Sequence, residues 1–186
     1  TTNTMGGDFM AVMLVAFIFG CIASAPYLFW QIWKFIKPAL HQKEAKKAKG
    51  FVFWTSVLFL LGVGFGYYII SPLSISFLGT FSAHKDIVKL PTLNSYMGVL
   101  ASTTLATGLA FELPIVIYLL SSIGLITPQF LRKFRKHSIV VILIIAAIIT
   151  PPDVFSQIVV SIPLYLLYEI SIFLSAMIQR RKEKEA

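Results

Sequence analysis

The chain has 186 residues, 57% of them hydrophobic and only 13% charged, with a mean hydropathy of +0.82. A soluble domain of that length needs far more polar residues to cover itself, so the composition excludes a water-soluble globular protein. Lys and Arg number 16 against 8 Asp and Glu, a net charge of +8, and in a chain this apolar the excess reports membrane orientation and contact with anionic lipid rather than nucleic acid.

Lipid permits only helices or closed barrels to span it. The apolar runs here are long and unbroken, whereas barrel strands are short and alternating. The fold class is therefore an all-α polytopic membrane protein, one integral membrane domain over residues 1–186 with five transmembrane helices. The first is predicted over residues 9–33 and contains Pro26 and the lone Cys21, a small packing residue with no disulfide partner. A basic loop over 34–50 comes next, carrying Phe35 and Glu44. The second span covers 51–70 and includes a Gly62/Gly66 step of the GxxxG type, which suits close helix packing. Residues 71–92, rich in Gly, Ser, Thr and Pro, read as an external loop beginning near Pro72.

The third span, 93–123, holds Glu112 two residues before Pro114. A second basic loop over 124–137 leads to a short fourth span, 138–149. Its twelve residues make roughly 18 Å of helix against a hydrocarbon core of about 30 Å. Two readings are open: local thinning at that hairpin, or a helix that begins earlier, in Arg135-Lys136-His137, with snorkelling side chains. The tract Thr150-Pro151-Pro152-Asp153 then ends one helix at a double proline and offers Asp153 as N-cap to the next. The fifth span is predicted over 154–178 with Pro163 inside it, and residues 179–186 as a frayed, solvated tail. Pro26, Pro114 and Pro163 each bend or end a helix, which favours a curved wall over a straight bundle.

Six lysines lie between Lys34 and Lys49, four basic residues between Arg132 and Lys136, and four between Arg180 and Lys184, against Lys85 and Lys89 alone on the other side. This asymmetry makes the three basic segments and the carboxyl terminus cytoplasmic. It also puts Thr1 outside, with no initiating methionine and no signal peptide, so a preceding span is expected.

Three acidic residues could face the inner half of the membrane. Glu112 sits in Leu109-Ala110-Phe111-Glu112-Leu113-Pro114, where a carboxylate costs roughly 2.5–3.5 kcal/mol and marks a cavity or a partner. The competing reading is a hydrogen-bonded group that fixes packing. Glu169 lies nearer the interface. Glu44, among lysines, reads by residue type as a solvated loop charge. Thr150 and Gln157 place polar groups beside the short hairpin, where bonding between its helices is the simpler role. His41, His84 and His137 lack metal-ligand spacing, no phosphate loop or nucleophile–histidine set is present, and neither cofactor nor enzymatic activity is expected.

The tracts Ser24-Ala25-Pro26, Gln31-Ile32-Trp33-Lys34-Phe35-Ile36-Lys37-Pro38-Ala39-Leu40 with Glu44, Phe111-Glu112-Leu113-Pro114, Thr150-Pro151-Pro152-Asp153-Val154-Phe155-Ser156-Gln157 and Ile162-Pro163 through Glu169 resemble TatC, the multi-span core of the twin-arginine protein translocase. The resemblance covers the whole chain in order. It implies six helices in the family, of which the first is absent here, and a concave, glove-like wall with short last helices. It also implies multi-pass residence in the cell inner (cytoplasmic) membrane. It assigns Phe35 and Glu44 to recognition of the twin-arginine signal peptide, where bidentate guanidinium–carboxylate pairing favours arginine over lysine. By the same resemblance Glu112 faces the concave cavity, and Thr150 and Gln157 form a polar patch that docks the single-span TatA and TatB subunits; further TatC copies are also partners. The function so implied is the core and receptor subunit of a translocase that exports folded precursors on the proton-motive force. A proton-coupled small-solute carrier using Glu112 is the alternative from another class, disfavoured by the want of an internal repeat. A purely structural membrane scaffold would predict that substitutions at Glu44 and Glu112 are tolerated.

Overall fold

The computed structural model describes residues 5–39, 48–80 and 92–185, and among them every regular element is helical. In chain order these are α1 (Met5–Ile36, continued by a 3-10 turn Lys37–Ala39), α2 (Ala48–Phe65), a π-helical turn (Gly66–Ile70), α3 (Ser71–Thr80), α4 (Leu93–Ala110), α5 (Leu113–Ser122), α6 (Pro128–Lys133), α7 (Arg135–Ile149) and α8 (Val154–Glu185). Four stretches of the described residues are long and apolar enough to cross a membrane: Gly6–Ile36, Gly50–Thr80, Leu93–Ser122 and Val154–Arg180.

The chain packs as two linked groups. In the first, α1, α2 and α4 lie against one another; in the second, α5, α6 and α7 pack on α8. Each helix buries a narrow stripe and leaves the rest of its apolar surface outward, the pattern of a chain solvated by lipid. In α1 the buried residues are Ala11, Ile18, Ala25 and Trp33, nearly a seven-residue repeat. The core of the second group runs through Ile117, Leu131, Ile142, Ala146, Val160, Leu164, Tyr168 and Ile172.

Glycine sets how closely α2 approaches α4. A Cβ at Gly62 would lie 2.7 Å from both the Thr107 carbonyl oxygen and Phe111 Cβ. One at Gly66 would overlap the Thr107 hydroxyl and sit 2.9 Å from Thr104 Cα, and one at Gly108 would lie 2.9 Å from Val63 Cγ2. The Gly62/Gly66 step thus has its partner in α4, and backbones meet where side chains would have held them apart.

Several boundaries differ from the sequence expectation. The loop expected from Ser71 is helical as far as Thr80. Its serines read as loop polarity, yet Ser71 and Ser74 are buried and the Ser71 hydroxyl meets the Thr103 hydroxyl at 2.7 Å. The π turn ends two residues before Pro72, which has no N–H and tolerates no tightly placed carbonyl one turn back. The 93–123 span breaks at Phe111-Glu112, and Pro114 starts α5 in the first turn, where a missing donor costs nothing. Pro26 and Pro163 lie inside continuous helices. The 124–137 loop contains α6, entered through Gly124 at φ 84. There the Leu125 N–H reaches back to the Leu120 carbonyl and a side chain would be strained. α7 begins at Arg135, so the helix does run into the basic residues; its 15 residues still make only about 22 Å. The tail expected to fray continues α8 to Glu185, and Lys182 Nζ donates to the Ser122 carbonyl at 2.5 Å.

The close approach yields a test. Gly62→Ala and Gly66→Ala should each destabilise the detergent-solubilised protein by about 1–3 kcal/mol through overpacking. Gly64→Ala, with nothing within 4 Å of its added methyl, should leave the melting temperature unchanged. Equal melting of all three would show that α2 and α4 are not in contact.

Candidate functional site

Among the described residues, an apolar recess of about 640 Å³ lies between α1, α2, α5 and α8, near the predicted recognition loop. Trp33 stacks on Phe51 with ring centroids 4.2 Å apart, and Phe51 lies 6.2 Å from Tyr118. Ile115, Ile170 and Leu174 complete the side formed by α5 and α8. Trp33 stands one residue before Lys34, and Gly50 and Phe51 open α2. The recess therefore lies at the ends of the two helices that the 34–50 segment joins. Phe35, two residues beyond Trp33, is 85% exposed. Glu44 lies in that same segment, outside the described residues.

Glu112 occupies the break between α4 and α5. Its backbone is fully used: its N–H donates to the Leu109 carbonyl at 3.1 Å, and its own carbonyl accepts from Ile115 and Val116 at 2.9 and 3.1 Å. The side chain is 8% exposed, and neither carboxyl oxygen has a hydrogen-bond partner among the described residues. Glu112 does not line the recess; Ile115, one turn on, does. A buried polar group without a partner is expensive, so it is either a reserve of strain or a point of contact for something else.

Glu169 has a different environment. One carboxylate oxygen accepts from Arg135 Nη2 at 2.7 Å and the other from the Tyr165 hydroxyl at 3.0 Å. This ties the start of α7 to the middle of α8, so Glu169 is already engaged within the fold. Tyr168 makes a second tie, donating to the Leu131 carbonyl at 2.8 Å. A third joins α5 and α8 through the Ser121 and Ser175 hydroxyls, also at 2.8 Å. Neither Arg135 nor these serines stood out in the sequence, because each pairing spans more than thirty residues.

At the short hairpin, Pro151 and Pro152 make the turn and Asp153 Oδ2 accepts from the Ser156 N–H at 2.7 Å, capping α8. The resemblance placed Thr150 and Gln157 in one polar patch, but the structure binds both internally. Thr150 is 6% exposed and its hydroxyl donates to the Ala146 carbonyl at 2.9 Å. The Gln157 amide crosses the hairpin to the Leu143 carbonyl at 3.0 Å. What remains open beside them is an apolar groove of about 350 Å³ between α7 and α8, lined by residues such as Ile139, Ile162 and Leu166. Among the described residues no group of His, Cys, Asp and Glu could hold a metal ion.

Residues 1–163 match the family described as Sec-independent protein translocase protein (TatC). Similar proteins include the Sec-independent protein translocase protein TatC of Blattabacterium sp. subsp. Periplaneta americana. It is 43% identical over 176 residues, which cover 95% of this chain and 66% of that protein. TatCy of Bacillus subtilis is 36% identical across 94% of this chain and 68% of its own length. The chain thus spans about two thirds of the length of these relatives. Among solved structures, the twin arginine translocase receptor TatC in DDM superposes with a TM-score of 0.74 at 38% identity, covering 94% of this chain and 76% of that one.

The isolation of the Glu112 carboxyl can be measured. Since an unsatisfied buried polar group costs about 1–3 kcal/mol, Glu112→Leu should raise the melting temperature of the purified protein, while Glu112→Gln should give no such gain. A drop with Leu would mean that the carboxyl has a partner in the folded protein.

Proposed function

The chain belongs to the TatC family of Sec-independent protein translocase proteins, and from that we propose that it is the core and receptor subunit of a twin-arginine translocase. It binds the twin-arginine signal peptides of folded precursors from the cytoplasmic side and recruits single-span TatA and TatB partners. Transport then runs on the proton-motive force, without a covalent step. The chain is a multi-pass membrane protein; its basic segments support a cytoplasmic carboxyl terminus, and the family supports residence in the cell inner membrane.

The observation that carries this reading is the recess between α1, α2, α5 and α8. Its aromatic and aliphatic lining suits the apolar stretch of a signal peptide, and it lies at the two helix ends joined by the segment containing Glu44. In this mechanism the paired arginines engage the Glu44 carboxylate, a bidentate interaction that lysines reproduce poorly. Exposed Phe35 offers an aromatic face beside them. The peptide's apolar run then enters the recess. The groove between α7 and α8 supports docking of a partner helix. Because Thr150 and Gln157 have their hydrogen bonds satisfied within the hairpin, that docking rests on shape and apolar contact more than on free polar groups. Glu112, buried and without a hydrogen-bond partner among the described residues, is a group left to be satisfied when the complex assembles. The carrier reading has only Glu112 to support it, and membership of a translocase family weighs against it.

Site-specific photocrosslinking from Phe35 and from positions flanking Glu44, in the whole protein, tests recognition. A precursor with an Arg-Arg signal should crosslink, and its Lys-Lys variant should do so far more weakly. Glu44→Ala should lose the difference, at a cost of about 1.5–3 kcal/mol for a hydrogen bond to a charged group. Equal crosslinks from both precursors in the unaltered protein would remove the receptor site from this loop.

A further inference from the structure

The basic residues at the α6 end of the bundle divide into committed and uncommitted. Arg135 is paired with Glu169, and Lys182 donates to the Ser122 carbonyl. Arg132 and Arg180 have neither a hydrogen bond nor an ion pair among the described residues, yet both line one recess of about 190 Å³ between α6 and α8. Glu183 borders the same recess, with one carboxylate oxygen held by the Gln179 amide at 3.0 Å. Two guanidinium groups facing a shared hollow form a fork for a phosphate.

The surface leading away from the recess is apolar. On α8, Ala176, Arg180 and Glu183 succeed one another at spacings of four and three, so they share a face. Counting by sevens from Arg180 toward the start of the helix reaches Phe173 and Leu166, which are 66% and 58% exposed. These residues form a nearly straight stripe along about 21 Å of helix, longer than the roughly 15 Å depth of one leaflet. A phosphate site at the head of an exposed apolar stripe is complementary to an amphiphile.

Glu183 narrows the choice of amphiphile. Its carboxylate repels a bare anion, but it can accept from a headgroup that carries a hydrogen donor beyond its phosphate. The ethanolamine ammonium and the glycerol hydroxyls are such donors; choline has none. We propose that the recess between α6 and α8 binds a phospholipid headgroup, with the phosphate on Arg132 and Arg180, the hydrogen-donating end on Glu183 and an acyl chain along Phe173 and Leu166.

The test is native mass spectrometry of the purified whole protein after incubation with mixed micelles of phosphatidylethanolamine, phosphatidylglycerol or phosphatidylcholine. The first two should be retained and the third should not. Arg132→Gln and Arg180→Gln should each weaken retention about fivefold, the contribution of one basic residue near a lipid surface. A Lys133→Gln/Lys136→Gln double variant, which removes two charges outside the recess, should leave retention unchanged, and Glu183→Ala should abolish the preference over phosphatidylcholine. Equal losses in the two kinds of charge variant would reduce the effect to diffuse attraction and overturn the site. So would displacement of the lipid by millimolar inorganic phosphate, which would make the recess a soluble-anion site. No uptake of any lipid, with binding of an acidic peptide that Arg132→Gln/Arg180→Gln abolishes, would assign the recess to a protein partner instead.

Discussion

Close approach of α2 and α4 at their glycines is the constraint on which the rest of the molecule depends. In lipid no hydrophobic force draws one helix to another, because acyl chains are as apolar as leucine; shape and short-range polar bonds must do it. Gly62, Gly66 and Gly108 let the two backbones close, and the Ser71–Thr103 hydroxyl pair fixes their register. α4 also supports α1 and continues through the Glu112 break into α5, which packs on α8. The position of the recess wall is therefore inherited from a contact several turns away.

The same logic recurs on a smaller scale between α5 and α8. The Ser121–Ser175 bond, the Tyr168 bond to Leu131 and the Arg135–Glu169–Tyr165 cluster each join elements distant in sequence. Hydroxyls and one interfacial ion pair here take the part that a buried apolar core plays in water. Glu112 is a carboxyl group brought into the interior with no hydrogen-bond partner for either oxygen among the described residues. Thr150, Gln157 and Glu169 spend their polar groups on holding the fold, whereas the Glu112 carboxyl is left for contact with something outside it.

Much of this was legible in the sequence, for identifiable reasons. Long apolar runs and the lysine–arginine asymmetry gave the helical membrane class, and the double proline with Asp153 marked the hairpin turn. Glu112 stood out because an acidic residue in so apolar a tract is rare. The features that were not legible depended on partners. Ser71 and Ser74 looked like loop residues, yet both are buried and the Ser71 hydroxyl finds a partner in Thr103 of α4. Glu169 looked like a free intramembrane acid until Arg135, 34 positions earlier, was found beside it. The tail looked frayed because Lys182 finds its acceptor 60 residues away. The uncommitted pair Arg132 and Arg180 was counted in the sequence only as topology signal, since nothing in a linear reading shows that the two share a hollow.

The π turn at Gly66–Ile70 carries a geometric consequence of its own. One extra residue in a helix shifts the downstream residues by only about 1.5 Å along the axis but rotates them by about 100°. The turn therefore acts as an azimuthal gear, and it sets which side of α3 faces its neighbour. With it, Ser71 and Ser74 look inward onto α4 and the ring of Pro72 looks out. Were one residue removed there, hydropathy and length would scarcely change, yet two hydroxyls would swing toward hydrocarbon. The span would still insert, and it would present the wrong side to its partner.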